Sequence, residues 1–564
     1  MRKLTFLSVA AASTLMLASC SKLGQLSADN VKVTPTPLEA VAGEVPATIS
    51  ATFPEKYMKK KITLGVTPVL KYDGGEVVSE GTTFQGEKVQ GNGTTVQYRV
   101  GGTYTMRANF PYTDALQQSD LYLRFDARKG NKQYNLPDLK VGYGVIATSE
   151  LLGRTLASST PATAASTYQR IVKQKQEAQI KYLVNQANVR ASELRTNSIQ
   201  DFAKILKEIN DNQEKLKLTN IEVSAYASPE GNYNFNERLA EKRQNTASDY
   251  LNAQLKKNKM QADVDRHFTA EDWEGFQQLV SQSNIQDKDV ILRVLSMYKD
   301  PQEREQQIRN MSVVYDELTK GILPELRRAR LIANYEVIGR SDAQIKQQFQ
   351  DDASQLSIEE VLYGAELQSD NAQKKTWYEA AARLFPKDAR AFNNLANLAY
   401  QAGNKEAAAS LLNTAKGLNA NSPEVATNQA LLALAQGNVA EAEALLAKGN
   451  GADAYSTVLG NINLAKGNYA AAAANLAGIK SNSAALAQIL NKDYAAAAMT
   501  LAGVPNADAT TAYLKAILGT RQSDAAAVVS NLQSAIQQDA TLAQRAAKDL
   551  EFARYAAQIA GLLK

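Results

Sequence analysis

Three stretches, YQAGNKEAAASLL (400–412), LAQGNVAEAEALL (434–446) and LAKGNYAAAAANL (464–476), share one design, and a degenerate LNKDYAAAAMTL (490–501) follows them. Their Gly-Asn pairs begin at 403, 437 and 467, separations of 34 and then 30. A period near 34, with small residues where helices cross and a Gly between them, is what stacked helical hairpins require. From about 357 to 564 no strand pattern survives and alanine dominates, so this region is predicted to be an all-α solenoid.

In the best copy, Phe392, Leu395, Ala396, Gly403, Ala408, Leu412 and Ala415 stand where the tetratricopeptide pattern places its aromatic, Leu, small, Gly, Ala, bulky and Ala positions. The region 357–564 resembles a tetratricopeptide-like helical array, of about four to six hairpins at that period. A loosely related α-solenoid and an alanine-rich helix are the alternatives.

Before the repeats, 167–340 mixes periods. Ile180, Tyr182 and Val184 alternate as a strand, and Ile199, Phe202, Ala203, Leu206 and Ile209 follow helical spacing. Ile221, Val223 and Ala225 form a second strand, Phe235, Leu239, Ala247, Leu251 and Leu255 mark another helix, and Ala329, Leu331, Ala333, Tyr335 and Val337 close with a strand. Between strand and helix lies YASPEGNYNFNERLAEKR (226–243). A helix start offers unpaired N–H groups to an anion. Asn236 and Arg243 are seven apart, two helical turns, so both can face one side near the turn. A guanidinium there can take a carboxylate through two parallel hydrogen bonds.

The pattern of strand, Gly-containing loop, Asn-x-x-Leu-x-x-x-Arg and Tyr-Leu resembles the peptidoglycan-binding OmpA-like domain, matched at Gly231, Asn236, Leu239, Arg243 and Tyr250-Leu251. The resemblance implies an α+β fold. It also implies that Arg243 holds the carboxylate of diaminopimelate in the peptidoglycan stem peptide. Where the family places an Asp for the ligand's amino group, this chain has Ser228, and Glu230 could supply the missing charge. A helical insertion at about 269–322, with Trp273, Tyr298 and Tyr315, is longer than the family's usual loop.

The region 41–157 changes to period 2: Ile62, Leu64, Val66; Val96, Tyr98, Val100; Tyr104, Met106, Ala108; Leu121, Leu123, Phe125. Breakers such as Asp73-Gly74-Gly75 and Gly91-Asn92-Gly93 fall between them, which predicts an antiparallel β-sandwich of immunoglobulin-like size. Ser158 to Ser166, rich in Ser, Thr, Pro and Ala, reads as a linker.

Residues 1–20 read as a signal segment, with Arg2 and Lys3 before an apolar run, and they end in Leu-Ala-Ser-Cys. The ending resembles a lipoprotein lipobox, which implies lipidation at Cys20 and membrane contact through that lipid. The polar stretch 21–40 is then a flexible tether. Cys20 is the only cysteine and His267 the only histidine, which leaves no thiolate or multi-histidine chemistry; His267 is given no role, and no metal or cofactor is expected. The formal charge of +5, or +3 without Arg2 and Lys3, is too small to argue for nucleic acid.

Together these modules resemble multidomain envelope lipoproteins of Gram-negative bacteria, particularly of the Bacteroides group. The expectation is a non-catalytic, lipid-anchored outer-membrane protein facing the periplasm. It would contact peptidoglycan through Arg243, Asn236, Glu230, Ser228 and Gly231, and scaffold protein partners on the concave face of its repeats. The alternative is a secretion or surface-fibre assembly scaffold whose OmpA-like domain no longer binds peptidoglycan. An enzyme would need paired carboxylates in one cleft, and no such pair is visible.

Overall fold

Each Gly-Asn pair of the repeats is a hairpin turn. Gly403, Gly437 and Gly467 sit at φ +78°, +85° and +74°, the left-handed conformation that ends a helix without a Cβ penalty. The following Asn N–H donates back to a carbonyl five residues earlier, as Asn404 does to Ala399 at 2.9 Å. A computed structural model describes residues 23, 26–285 and 287–563, the side chains of 312–314 excepted. Cys20 and the signal segment lie outside the described residues.

Two compact units form. One combines the residues through Ala165 with those from Gln368 onward, and the other is Ser166–Leu367, inserted in sequence between them. The helix Ile358–Glu366, expected to open the repeats, therefore belongs to the central unit.

In the first unit, Ala389–Gln401 pairs with Lys405–Leu418, Pro423–Ala435 with Val439–Leu446, and Tyr455–Ala465 with Tyr469–Asn475. Asn482–Leu490 then pairs with Tyr494–Ala502, and Ala509–Arg521 with Ala525–Gln538. The hairpins are tetratricopeptide-like, with alanines where helices meet. Ala408, Ala415, Ala430, Ala442, Ala472, Ala484 and Ala497 are all buried. In the fourth and fifth hairpins the left-handed turn falls on Lys492 (φ +64°) and Ser523 (φ +61°) instead of Gly.

The same unit holds the β-rich region. Val31–Thr34, Glu44–Phe53 and Gly102–Pro111 make one antiparallel sheet. Thr63–Tyr72, Asp120–Lys129, Thr82–Gly86 and shorter neighbours make a second, and Leu38–Glu39 with Val145–Ile146 a small third. Val45, Ile49, Phe53, Leu64, Phe84, Met106, Phe110 and Leu123 fill the core between the first two. Three expectations are corrected. The expected all-antiparallel pairing gives way at two places, since Thr82–Gly86 pairs with Thr94–Val96, and Leu38–Glu39 with Val145–Ile146, in parallel. Val31–Thr34 and Leu38–Glu39 of the expected tether form strands, since Val33 and Leu38 have apolar surface to bury. The alternation through Val100 ends at Val96, because Gln97–Gly101 closes a tight turn that leaves Val100 76% exposed.

The central unit has four strands in the order Ile171–Lys181, Arg328–Ile338, Leu216–Tyr226, Val264–Thr269. The first three are antiparallel and the last pair is parallel. Asn197–Asp211 and Tyr233–Lys257 cover the sheet: Ile199, Phe202 and Leu206 meet Ile221, Val223, Leu251 and Leu331 in one core. Between the strands ending at Thr269 and beginning at Arg328, helices spanning Trp273–Leu326 build a separate small core around Phe276, Val280, Ile291, Leu295 and Leu318.

Candidate functional site

The loop 227–232 joins the central strand Leu216–Tyr226 to the helix Tyr233–Lys257. Asn232 caps that helix, accepting from Asn234 N–H at 3.0 Å. Gly231 sits at φ +97° with open space around a Cβ position, so backbone conformation alone asks for glycine there. Asn236 is buried and its amide donates to the carbonyls of Ser228 (3.3 Å) and Glu230 (3.1 Å), which fixes the loop's shape.

Arg243 is 1% exposed. Its Nε donates to the Gln186 carbonyl (3.0 Å), Nη1 to Tyr226 (2.9 Å) and Nη2 to Leu183 (3.1 Å). The guanidinium lies 5.2 Å from the centre of the Tyr182 ring, whose hydroxyl donates to the Arg243 carbonyl at 3.1 Å. Loss of water pushes its pKa down to about 10, since burial disfavours the charged form. A carboxylate clamp needs a guanidinium edge facing the ligand, whereas here each nitrogen is answered by main chain.

Glu230 is not a free carboxylate either. Its Oε1 accepts from the Ser228 hydroxyl (2.8 Å) and from Arg327 Nε (3.0 Å) and Nη2 (2.7 Å). Ser228 is thus turned to Glu230, and the expectation that Glu230 faces a ligand ammonium meets a residue already paired with Arg327. Asp272 likewise takes Arg328 at 2.9 Å, and Glu177 takes Arg330 at 2.7 Å. The insertion adds cover: Gly231 N–H donates to Glu305 at 2.7 Å, and Pro229 lines a crevice together with Trp273 and Phe276. The crevice there is only ≈ 10 Å³, about the room one water needs.

The groove of the repeats, expected to be open, is filled. Residues 159–165, in neither helix nor strand, run along it, and buried asparagines bond to the backbone of Ala162 and Ala164. Ala162 N–H donates to Asn428 Oδ1 (2.6 Å), and its carbonyl accepts from Asn393 (3.1 Å), Asn397 (2.7 Å) and Asn428 (2.8 Å). Ala164 exchanges both backbone bonds with Asn394. Upstream, Ser159 meets Asn461 and Thr155 meets Ser483, so the segment runs antiparallel to the order of the repeats. Residues 148–157, expected to close the sandwich, pack on the array instead. Leu151 and Leu156 enter its cores, Thr148 donates to Glu551, and Arg154 pairs with Asp539. Small side chains fit a main-chain-reading groove: Ala162 is fully buried and Ala164 3% exposed.

Arg327, Glu305 and the groove asparagines are absent from the sequence reading. Only Asn393, Asn428 and Asn461 carried a signal, recurring at separations close to the repeat period on the first helix of successive hairpins. Among the described residues no group of three or more His, Cys, Asp or Glu could hold a metal ion. Nor is any described helix long and apolar enough to cross a membrane.

No protein-family model matches the chain, and no curated protein matches it in sequence. Among solved structures, a tetratricopeptide repeat protein from Parabacteroides merdae is similar at 15% identity, covering 35% of this chain and 85% of its own, with a TM-score of 0.27. Pseudomonas aeruginosa pilF is similar at 18% identity over 37% of this chain and 99% of its own, TM-score 0.27. Yeast Tom70 is similar at 11% identity over 66% and 83%, TM-score 0.24. Similarities of this size define no shared fold, and the helical repeats rest on the hairpin geometry above.

Proposed function

We propose that the protein is a non-catalytic scaffold of the cell envelope, held to the outer membrane by lipid on Cys20, whose OmpA-like central domain keeps its anion clamp shut. One observation carries this reading: Arg243 and Glu230, the two groups that would hold a zwitterionic ligand, are both answered from within the chain. Opening Arg243 to a ligand would strip three backbone carbonyls of a charged donor, a loss that a single surface carboxylate does not offset. The repeats serve as an internal frame around residues 158–165, and protein partners engage their outer faces.

Co-sedimentation of the full chain with diaminopimelate-type peptidoglycan sacculi tests this. The expected result is no sedimentation above background. Sedimentation that soluble stem peptide competes away would overturn the reading.

A second reading, direct contact with peptidoglycan, draws on the sequence resemblance to the OmpA-like pattern at Gly231, Asn236 and Arg243. It requires the Glu230 pair with Arg327 to exchange for the ligand, and the same experiment decides between the two.

A further inference from the structure

A concavity of ≈ 630 Å³ opens at one end of the β-sandwich, lined by Lys59, Lys60, Lys61, Lys88, Lys129 and Tyr134 beside Ile62. Its size is that of a small-molecule site. We propose that it binds a compact, multiply phosphorylated ligand.

The lysines are brought together by fixed backbone and not by chance reach of long side chains. Lys88 N–H donates to the Lys60 carbonyl at 2.7 Å, and Gly86 N–H to Ile62 at 2.9 Å, which clamps segment 86–88 against 60–62. Gly86 is needed for that approach, because a Cβ there would fall 2.2 Å from the Lys59 carbonyl oxygen and 2.7 Å from the Lys60 carbonyl carbon. The third side comes from a hairpin in which Lys129 faces Lys132, in register with Thr63 through Arg128.

Held this close, like charges repel, and a fold gains nothing from the arrangement unless an anion enters. The lining contains no carboxylate among the described residues. Outside the lining, Glu87 faces Lys60 at 3.4 Å and accepts from Tyr98 N–H at 2.8 Å. Lys59 and Lys60 also lie over the Tyr98 ring, at 5.2 and 5.7 Å. Lys61, Lys88 and Lys129 are exposed and have no ion-pair partner among the described residues.

The choice of cation narrows the ligand. Arg128, the guanidinium beside the site, is paired with Asp126 at 2.9 Å, so the cavity presents only ammonium groups. Ammonium groups on flexible stems suit phosphates arranged in several directions, whereas a lone planar carboxylate is better taken by a guanidinium fork. A phosphorylated saccharide and free polyphosphate share this chemistry.

Calorimetric titration of the full chain with sodium tripolyphosphate and with glucose 1,6-bisphosphate, at low ionic strength, tests the site and its ligand's source. Wild type is expected to bind at least one of them saturably, the tighter naming the source, and added salt weakens it. The variant K61Q/K88Q/K129Q, whose melting temperature should match or exceed wild type because the three side chains have no ion-pair partner to lose and their mutual repulsion is relieved, loses about tenfold or more in affinity, while K61R/K88R/K129R retains binding. Unchanged affinity in the glutamine variant, or no binding of either probe by wild type, overturns the proposal. So does binding confined to phosphatidylglycerol vesicles, which would assign the lysines to a membrane surface.

Discussion

A guanidinium carried into a protein interior must find acceptors for its donors, and Arg243 finds them on the carbonyls of Gln186, Leu183 and Tyr226, three points along the chain. The residue thereby staples the segment after the first strand to the end of the central one. Arg243→Met would leave those carbonyls without a buried donor, and a loss of about 3 kcal/mol in the stability of the central unit is expected in denaturant unfolding. Arg243→Lys, with one nitrogen for three acceptors, should recover only a minor part. Glu177 gives a pH signature. The side-chain bond from Arg330 holds its carboxyl below the ordinary value. Its contribution is therefore present above the unfolded carboxyl's pKa and is lost as pH falls through the lower folded value. In acid titrations of stability, Glu177→Gln should flatten the decline below about pH 4.5 relative to wild type.

At the scale of elements, the repeat turns set a measurable constraint. Gly437 is at φ +85° with nothing within 4 Å of a Cβ position, so Gly437→Ala is expected to cost about 1 kcal/mol through backbone conformation alone, read as a lowered melting temperature. Asn428 is the hub of the groove, bonded to Ala162 on both sides and to Asn393 and Asn397. Asn428→Ala should cost about 2 kcal/mol by orphaning buried partners. The Gly-Asn pairs made three hairpins legible in the sequence. The fifth was not, because Ser523-Asp524 performs the same turn and cap without glycine. The strand Glu44–Phe53 was likewise missed: Pro46 and small Ala, Thr and Ser residues hide an alternation that the structure makes plain by burying Val45, Ala47, Ile49, Ala51 and Phe53. Segment 158–166 was read as a linker from composition, yet the same small residues are what an asparagine-lined groove admits. The loop 226–243 was recognisable as a turn before a helix, but Arg327, which pairs with Glu230, and the Gln186 and Leu183 carbonyls that take Arg243 lie 97 and about 60 positions away, beyond any local pattern.

At the scale of the molecule, the chain builds one unit from two distant stretches and inserts a second between them. Repeats 368–564 expressed alone would expose Asn393, Asn394, Asn397 and Asn428 without their backbone partners. A synthetic peptide spanning 147–165 should therefore raise their melting temperature, with no effect from a peptide in which Ala162 and Ala164 are Trp. In the proposed reading the central domain answers Arg243 and Glu230 from within the chain and so offers neither to a zwitterionic stem peptide. The most direct measurement is calorimetric titration of a diaminopimelate-containing stem tripeptide into the full chain. No saturable heat is expected. Saturable binding by wild type, lost in Arg243→Lys while the fold is retained, would contradict the proposed reading.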